Sequence, residues 1–118
     1  MNLAELFRHQ ADLQLLAAGQ VLFSEGDRGD VMFVLMSGTA DIIVHDRVVE
    51  TAGVGAIVGE MAMIDDSARS ATVVARSDCS LFPVGRNQFN FLVQQTPNFA
   101  LHVMRVMADR LRKADAVL

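Results

Sequence analysis

Between Val21 and Val84 the chain breaks into short apolar runs, mostly β-branched, separated by Gly and Asp turns, and this limits the possible folds more than any other feature of the sequence. The runs are Val21 to Phe23, Val31 to Met36, Ala40 to His45, Val48 to Thr51, Ala71 to Ala75 and Cys79 to Val84. Each has the length of a strand, and branched side chains suit a pleated, half-buried surface. Short strands at such intervals predict a sandwich or barrel. The pair Asp46-Arg47, between two of the runs, predicts a tight hairpin connection.

Helical patterns flank this region. Leu3, Leu6, Phe7, Leu13 and Leu16 have roughly helical spacing, interrupted by Arg8 to Gln10, which predicts one short helix or two helical turns within residues 1–18. After Pro83, Phe89, Leu92 and Val93 mark a helix from Asn87 to Gln95. Thr96-Pro97 then reads as an N-cap followed by proline at the first helical position, opening a helix that runs from Pro97 to about Ala116. In it Ala100, Met104, Met107, Leu111, Ala114 and Leu118 alternate four and three apart, the seam of a coiled coil, while Phe99, Val103, Val106 and Arg110 form a second stripe. One stripe is expected to cover the β region. The other, through Met104, Met107 and Leu111, is expected to meet a second subunit; burial of both within one monomer is the alternative.

The chemistry is concentrated in Gly59 to Val73, GEMAMIDDSARSATV. Gly59 permits a turn without a Cβ penalty, and a helix starting at Glu60 exposes amide N–H groups that have no internal partner. Such amides bind phosphate oxygens. Arg69, beyond a loop holding Asp65, Asp66 and Ser67, can close on the same anion with a forked pair of charge-assisted hydrogen bonds. Glu60 is repelled by a phosphate and suits neutral hydroxyls instead. A sugar beside a phosphate offers them.

These residues resemble the phosphate-binding cassette of cyclic-nucleotide-binding domains, the family of the bacterial catabolite activator protein and of the regulatory subunits of cyclic-AMP-dependent kinase. Gly59, Glu60, Ala62, Arg69, Ser70, Ala71 and Val73 fit its pattern, while Val58 stands where an aromatic is frequent and Ala68 where proline is common. Upstream, Glu25 to Val34 followed by Gly38 resembles the family's first barrel turn and strand. The resemblance implies a mainly β fold: a jelly-roll-like β-barrel (double-stranded β-helix) over residues 19–84, carrying the cassette at 59–73, with a short helical N-terminus at 1–18 and helices at 86–118. It implies a non-catalytic domain that binds cyclic AMP or cyclic GMP through Gly59, Glu60, Met61, Ala62, Arg69, Ser70 and Ala71 and signals through its final helix to a dimer partner or a protein effector of unknown identity. Arg69 would hold the cyclic phosphate, Glu60 the ribose 2′-hydroxyl, and Ser70 a phosphate oxygen or a purine edge. The position that contacts adenine in the activator falls on Ala114. Its neighbour Asp115 could accept from guanine N1–H and the 2-amino group, which adenine cannot offer. Without Trp or Tyr, and with Phe99 as its last aromatic, the chain has no counterpart of the kinase subunits' aromatic lid.

A competing reading closes the cassette with an internal salt bridge from Arg69 to Asp65 or Asp66, leaving a dimerising scaffold that binds no nucleotide. Other classes fit less well. The 118 residues suggest one domain. Its net charge of −4 argues against a nucleic-acid surface. A DNA-reading helix-turn-helix has no room before Leu118, so a free-standing sensor or a fragment of a longer protein is expected. No apolar run spans a bilayer, and the N-terminus lacks a basic leader, making cytoplasm the default. His9, His45 and His102 fall on separate elements with no His-x-His pair, which argues against a metal-dependent barrel enzyme. Cys79, the lone cysteine, sits in an apolar run and reads as an inert buried thiol.

Overall fold

The computed structural model of the chain describes residues 1–116. Two four-stranded antiparallel sheets face each other, built from β1 (Gln14–Leu16), β2 (Val21–Phe23), β3 (Val31–Ser37), β4 (Ala40–Val44), β5 (Arg47–Ala52), β6 (Ile57–Val58), β7 (Thr72–Ala75) and β8 (Cys79–Gly85). One sheet has the order β1-β8-β3-β6 and the other β2-β7-β4-β5. The mainly β character and flanking helices follow the expectation. So does the jelly-roll-like layout, with the described strands in two facing sheets that remain separate and do not close into a continuous barrel.

Alternation along the central strands creates two cores. On β3, Met32 and Val34 face the helices, whereas Phe33 and Leu35 face the opposite sheet. On β8, Phe82 and Val84 join the first set, and Cys79 and Leu81 the second. A strand buried on both faces must be apolar throughout, which is why Val31 to Met36 reads as an unbroken run. The helical layer consists of α1 (Leu3–Leu6), α2 (Arg86–Gln95) and α3 (Pro97–Asp115). Phe89 of α2 meets Phe99 of α3 edge-on at 5.6 Å, and Phe99 and Val103 are almost fully buried. No helix among the described residues is long and apolar enough to cross a membrane.

Three local expectations need correction. The N-terminal helix ends at Leu6; Asp12 adopts a left-handed φ of 61°, and Gln14 to Leu16 then pair with β8. There Leu16 enters the core between the sheets while Leu15 is exposed, the alternation of a strand, so pairing with β8 overrides the weak helical spacing. The β4–β5 hairpin turns at His45-Asp46, one residue earlier than Asp46-Arg47. Both residues have positive φ, 50° and 63°, as a primed two-residue turn requires, and Arg47 already pairs with Val44. Thr96 occupies the N-cap position of α3, but its side chain makes no capping bond; its N–H instead closes α2 on the Leu92 carbonyl.

Candidate functional site

After β6 the chain turns at Gly59, whose φ of 75° favours glycine, into a 3-10 turn, Glu60–Met63. The following loop is fixed to the β2–β3 connection. Arg69 N–H donates to the Asp27 carbonyl at 2.7 Å, and the Arg69 carbonyl accepts from Gly26 N–H at 2.8 Å. The two blocks prominent in the sequence thus interlock through backbone hydrogen bonds.

The Arg69 side chain threads between two glycines. A Cβ on Gly29 or on Gly59 would collide with the guanidinium. Its Nη1 donates to the Gly59 carbonyl at 3.3 Å, and its central carbon lies 4.2 Å from the centre of the Phe23 ring. Its Nε is buried with no hydrogen-bond partner. Among the described residues Arg69 forms no ion pair. Burial pulls its pKa below the ordinary value, against the more distant charges of Asp30, Asp27 and Glu60. The Arg69–Asp65 or Arg69–Asp66 bridge of the competing reading is not formed. Asp65 accepts from Ser67 N–H at 2.9 Å, while Asp66 lies 3.6 Å from Arg86.

Glu60 is 4% exposed, and its Oε2 accepts from Arg110 Nη1 at 2.8 Å. Arg110 also holds Glu50 of β5, donating from Nε and Nη2 at 3.2 Å each. Lys113 approaches the same Glu50 at 3.5 Å and pairs with Asp109 at 2.9 Å. Burial pushes the Glu50 carboxyl up, but the hydrogen bonds and charges of Arg110 and Lys113 outweigh it and hold the group below the ordinary carboxylate range. Arg110 shows the mirror effect: burial lowers it, and Glu60 and Glu50 together raise it above its usual value. α3 is thereby tied to both the cassette and β5.

These elements line a cavity of about 760 Å³ including its open mouth. Gly59, Glu60, Met61, Ala62, Arg69, Ser70 and Ala71 all line it, as does Ala114. Asp115 is exposed and does not line it. The seam residues divide: Met107 and Leu111 line the cavity, Met104 does not and is 54% exposed, and Leu118 lies outside the described residues. Phe23 and Arg110 are among the lining residues that have no counterpart in the sequence expectations for the site. Phe23 was visible only as a strand residue. Arg110 was read only as a member of the stripe of Phe99, Val103 and Val106; a cation among those apolar residues was the available hint of a buried anion, though nothing local named Glu60 or Glu50 as that anion.

The remaining chemistry-bearing residues are elsewhere. His45 lies 3.6 Å from Glu25, His9 accepts from Arg8, and His102 is on α3; no cluster of three or more metal-ligating side chains occurs among the described residues. Cys79 is 4% exposed and its thiol donates to the Thr39 and Ser77 carbonyls, both at 3.1 Å; burial raises its pKa.

Comparison with known proteins places the chain in a family. Residues 13–96, more than half of the chain, match the cyclic nucleotide-binding domain. The cAMP-dependent protein kinase regulatory subunit of Eremothecium gossypii is 38% identical over 76 residues, 64% of this chain and 17% of the subunit. The cyclic AMP receptor protein of Thermus thermophilus is 31% identical over 110 residues, 89% of this chain and 51% of the receptor. The chain thus spans at most about half the length of these curated relatives. A solved structure from a cyclic-GMP-dependent signalling pathway that regulates bacterial phytopathogenesis superposes with a TM-score of 0.75 at 32% identity, covering 94% of each chain. By sequence and by fold, the chain belongs to the cyclic nucleotide-binding domain family.

Proposed function

We propose that this domain is a non-catalytic sensor of cyclic AMP or cyclic GMP that passes its signal through α3. One observation carries the reading: Arg69 is a buried cation on a cavity wall, with an unpartnered Nε and no ion pair within the described residues. A cation held this way favours an anion of matching size, and a phosphate oxygen pair fits the guanidinium fork. The N–H groups that open the 3-10 turn lie beside it and add donors. Glu60 excludes a second anion and accepts from a sugar hydroxyl, so a phosphate joined to a sugar suits the site better than a bare anion.

Signalling follows from sharing. Arg110 engages Glu60, and a ribose hydroxyl on Glu60 competes for the same carboxylate. Occupancy therefore biases how α3 sits, which is the differential binding that any switch requires. The exposed Met104 and Leu111 support a homodimer through this helix, with Met107 filling the space between helix and cavity.

Thermal melts of the wild type and of Arg69→Ala, with cyclic AMP, cyclic GMP and linear 5′-AMP, test the proposal. A ligand at about 100 times its Kd stabilises by about 2.7 kcal/mol, an easily measured shift. The wild type is expected to shift with a cyclic nucleotide and the variant not to. A wild type that ignores both cyclic nucleotides defeats the sensor reading and leaves the scaffold; an equal shift in the variant defeats the role of Arg69. Sedimentation of Met104→Glu and Leu111→Glu against the wild type tests the dimer, which a monomeric wild type at high concentration rules out.

A further inference from the structure

We propose, resting on the cyclic-nucleotide reading above, that the site recognises the sugar and the cyclic phosphate and is indifferent to the base. Selecting one base requires polar groups that meet one base edge and not another. Among the described residues, the charged side chains on the cavity wall are Glu60, Arg69 and Arg110. Arg69 is committed to the phosphate and Glu60 to the sugar. Arg110 is already held by three hydrogen bonds to Glu50 and Glu60.

The neutral polar side chains that line it among the described residues are the hydroxyls of Ser67 and Ser70, both on exposed residues of the cassette loop. A hydroxyl rotates and can either donate or accept, so it serves the adenine edge and the guanine edge alike. The β4, β5 and α3 walls are Ile42, Val44, Val49, Met107, Leu111 and Ala114. Apolar contact of this kind is open to every base, because every base presents an aromatic face. Asp115, which would favour guanine, does not line the cavity. A pocket built to hydrogen-bond its ligand rejects the mismatched analogue by roughly 10⁴-fold or more, whereas an apolar one discriminates far less.

Calorimetric titration of the chain with cyclic AMP, cyclic GMP, cyclic IMP and 2′-deoxy-cyclic AMP tests this. The three ribonucleotides are expected to have Kd values within about tenfold of one another, a spread of about 1.4 kcal/mol. The deoxy analogue, which lacks the hydroxyl that Glu60 would accept, should bind more weakly than any of them, by on the order of tenfold. Ser70→Ala should leave the ratio of cyclic AMP to cyclic GMP affinity unchanged. A spread among the ribonucleotides beyond about tenfold, or a Ser70→Ala change confined to one base, overturns base indifference while leaving the nucleotide reading intact. Failure of every cyclic nucleotide to bind overturns both.

Discussion

Replacing Arg110 with alanine should be among the most damaging single changes away from the hydrophobic cores. The Arg110 side chain is 14% exposed, Glu60 5% and Glu50 21%, so the change strands one fully buried carboxylate and one half-buried one. Removing one partner of a buried pair costs about 3–5 kcal/mol, because the remaining charge stays desolvated. Lys113 still lies 3.5 Å from Glu50, which puts the expected loss near the lower end, about 3 kcal/mol. For a domain of this size that lowers Tm by roughly 12 °C, which calorimetric melts at pH 7 resolve. Adding Glu60→Gln to Arg110→Ala should recover part of the loss, since it removes the stranded charge. The pH dependence has a definite sign. The folded-state pKa of Glu50 lies below its ordinary 4.5, so its contribution is present above that value and is lost as pH falls through the lowered folded-state pKa. Arg110 is raised, so its contribution holds throughout neutral pH and is lost only at strongly alkaline pH. The gap between wild type and variant should therefore narrow under acid conditions. A loss below about 1 kcal/mol, or a gap that stays constant into the acid range, would refute the claim that stranded carboxylates set the cost.

Three further outcomes are expected. Gly29→Ala places a methyl group against the Arg69 guanidinium, the mobile end of a flexible side chain, so the fold should tolerate it while cyclic-nucleotide affinity falls by on the order of tenfold; a normal affinity by calorimetry would show that Arg69 does not act from this position. Arg69→Leu removes a buried donor that has no partner, a burden of about 1–3 kcal/mol, and should leave the nucleotide-free Tm at or above that of the wild type; a clear fall would mean that the Phe23 and Gly59 contacts outweigh the desolvation. Combining His45→Asn with Asp46→Gly supplies the residues a primed hairpin turn favours and should gain about 1 kcal/mol, or roughly 4 °C, in thermal melts. No gain would place the strain elsewhere.

Legibility in the sequence depended on how locally each feature is determined. Strands β2 to β5, β7 and β8 stood out because branched runs and turn residues carry their own signal. β1 did not, since Gln14 to Leu16 becomes a strand only by pairing with Cys79 to Leu81, more than sixty positions away. β6 is two residues long, too short for any alternation to register. The grouping of Gly59, Glu60 and Arg69 on one cavity wall was readable because they lie within one short segment. Arg110 was not, because Glu60 and Glu50 lie fifty and sixty positions from it, and only the folded chain brings them together. For Asp115, adjacency to Ala114 suggested a shared role, but neighbours on a helix point in different directions, and of the two only Ala114 lines the cavity.

The two arginines at this site have opposite surroundings, and the difference lies in where the nearby acids go. Arg110 is neutralised by Glu50 and Glu60, so it can be buried and used as a structural tie. Arg69 has Asp65 and Asp66 close by in sequence, yet both face other groups. Asp65 turns back onto the Ser67 amide, and Asp66 leans toward Arg86, which itself donates to the Ala62 carbonyl at 2.8 Å. Asp66 is 96% exposed, so its approach to Arg86 contributes little energy. The Arg86–Ala62 bond meanwhile fixes the end of the 3-10 turn that presents Glu60. Arg86 thus helps hold the cassette in a form in which Arg69 has no carboxylate partner among the described residues, which is the arrangement that the proposed anion site needs.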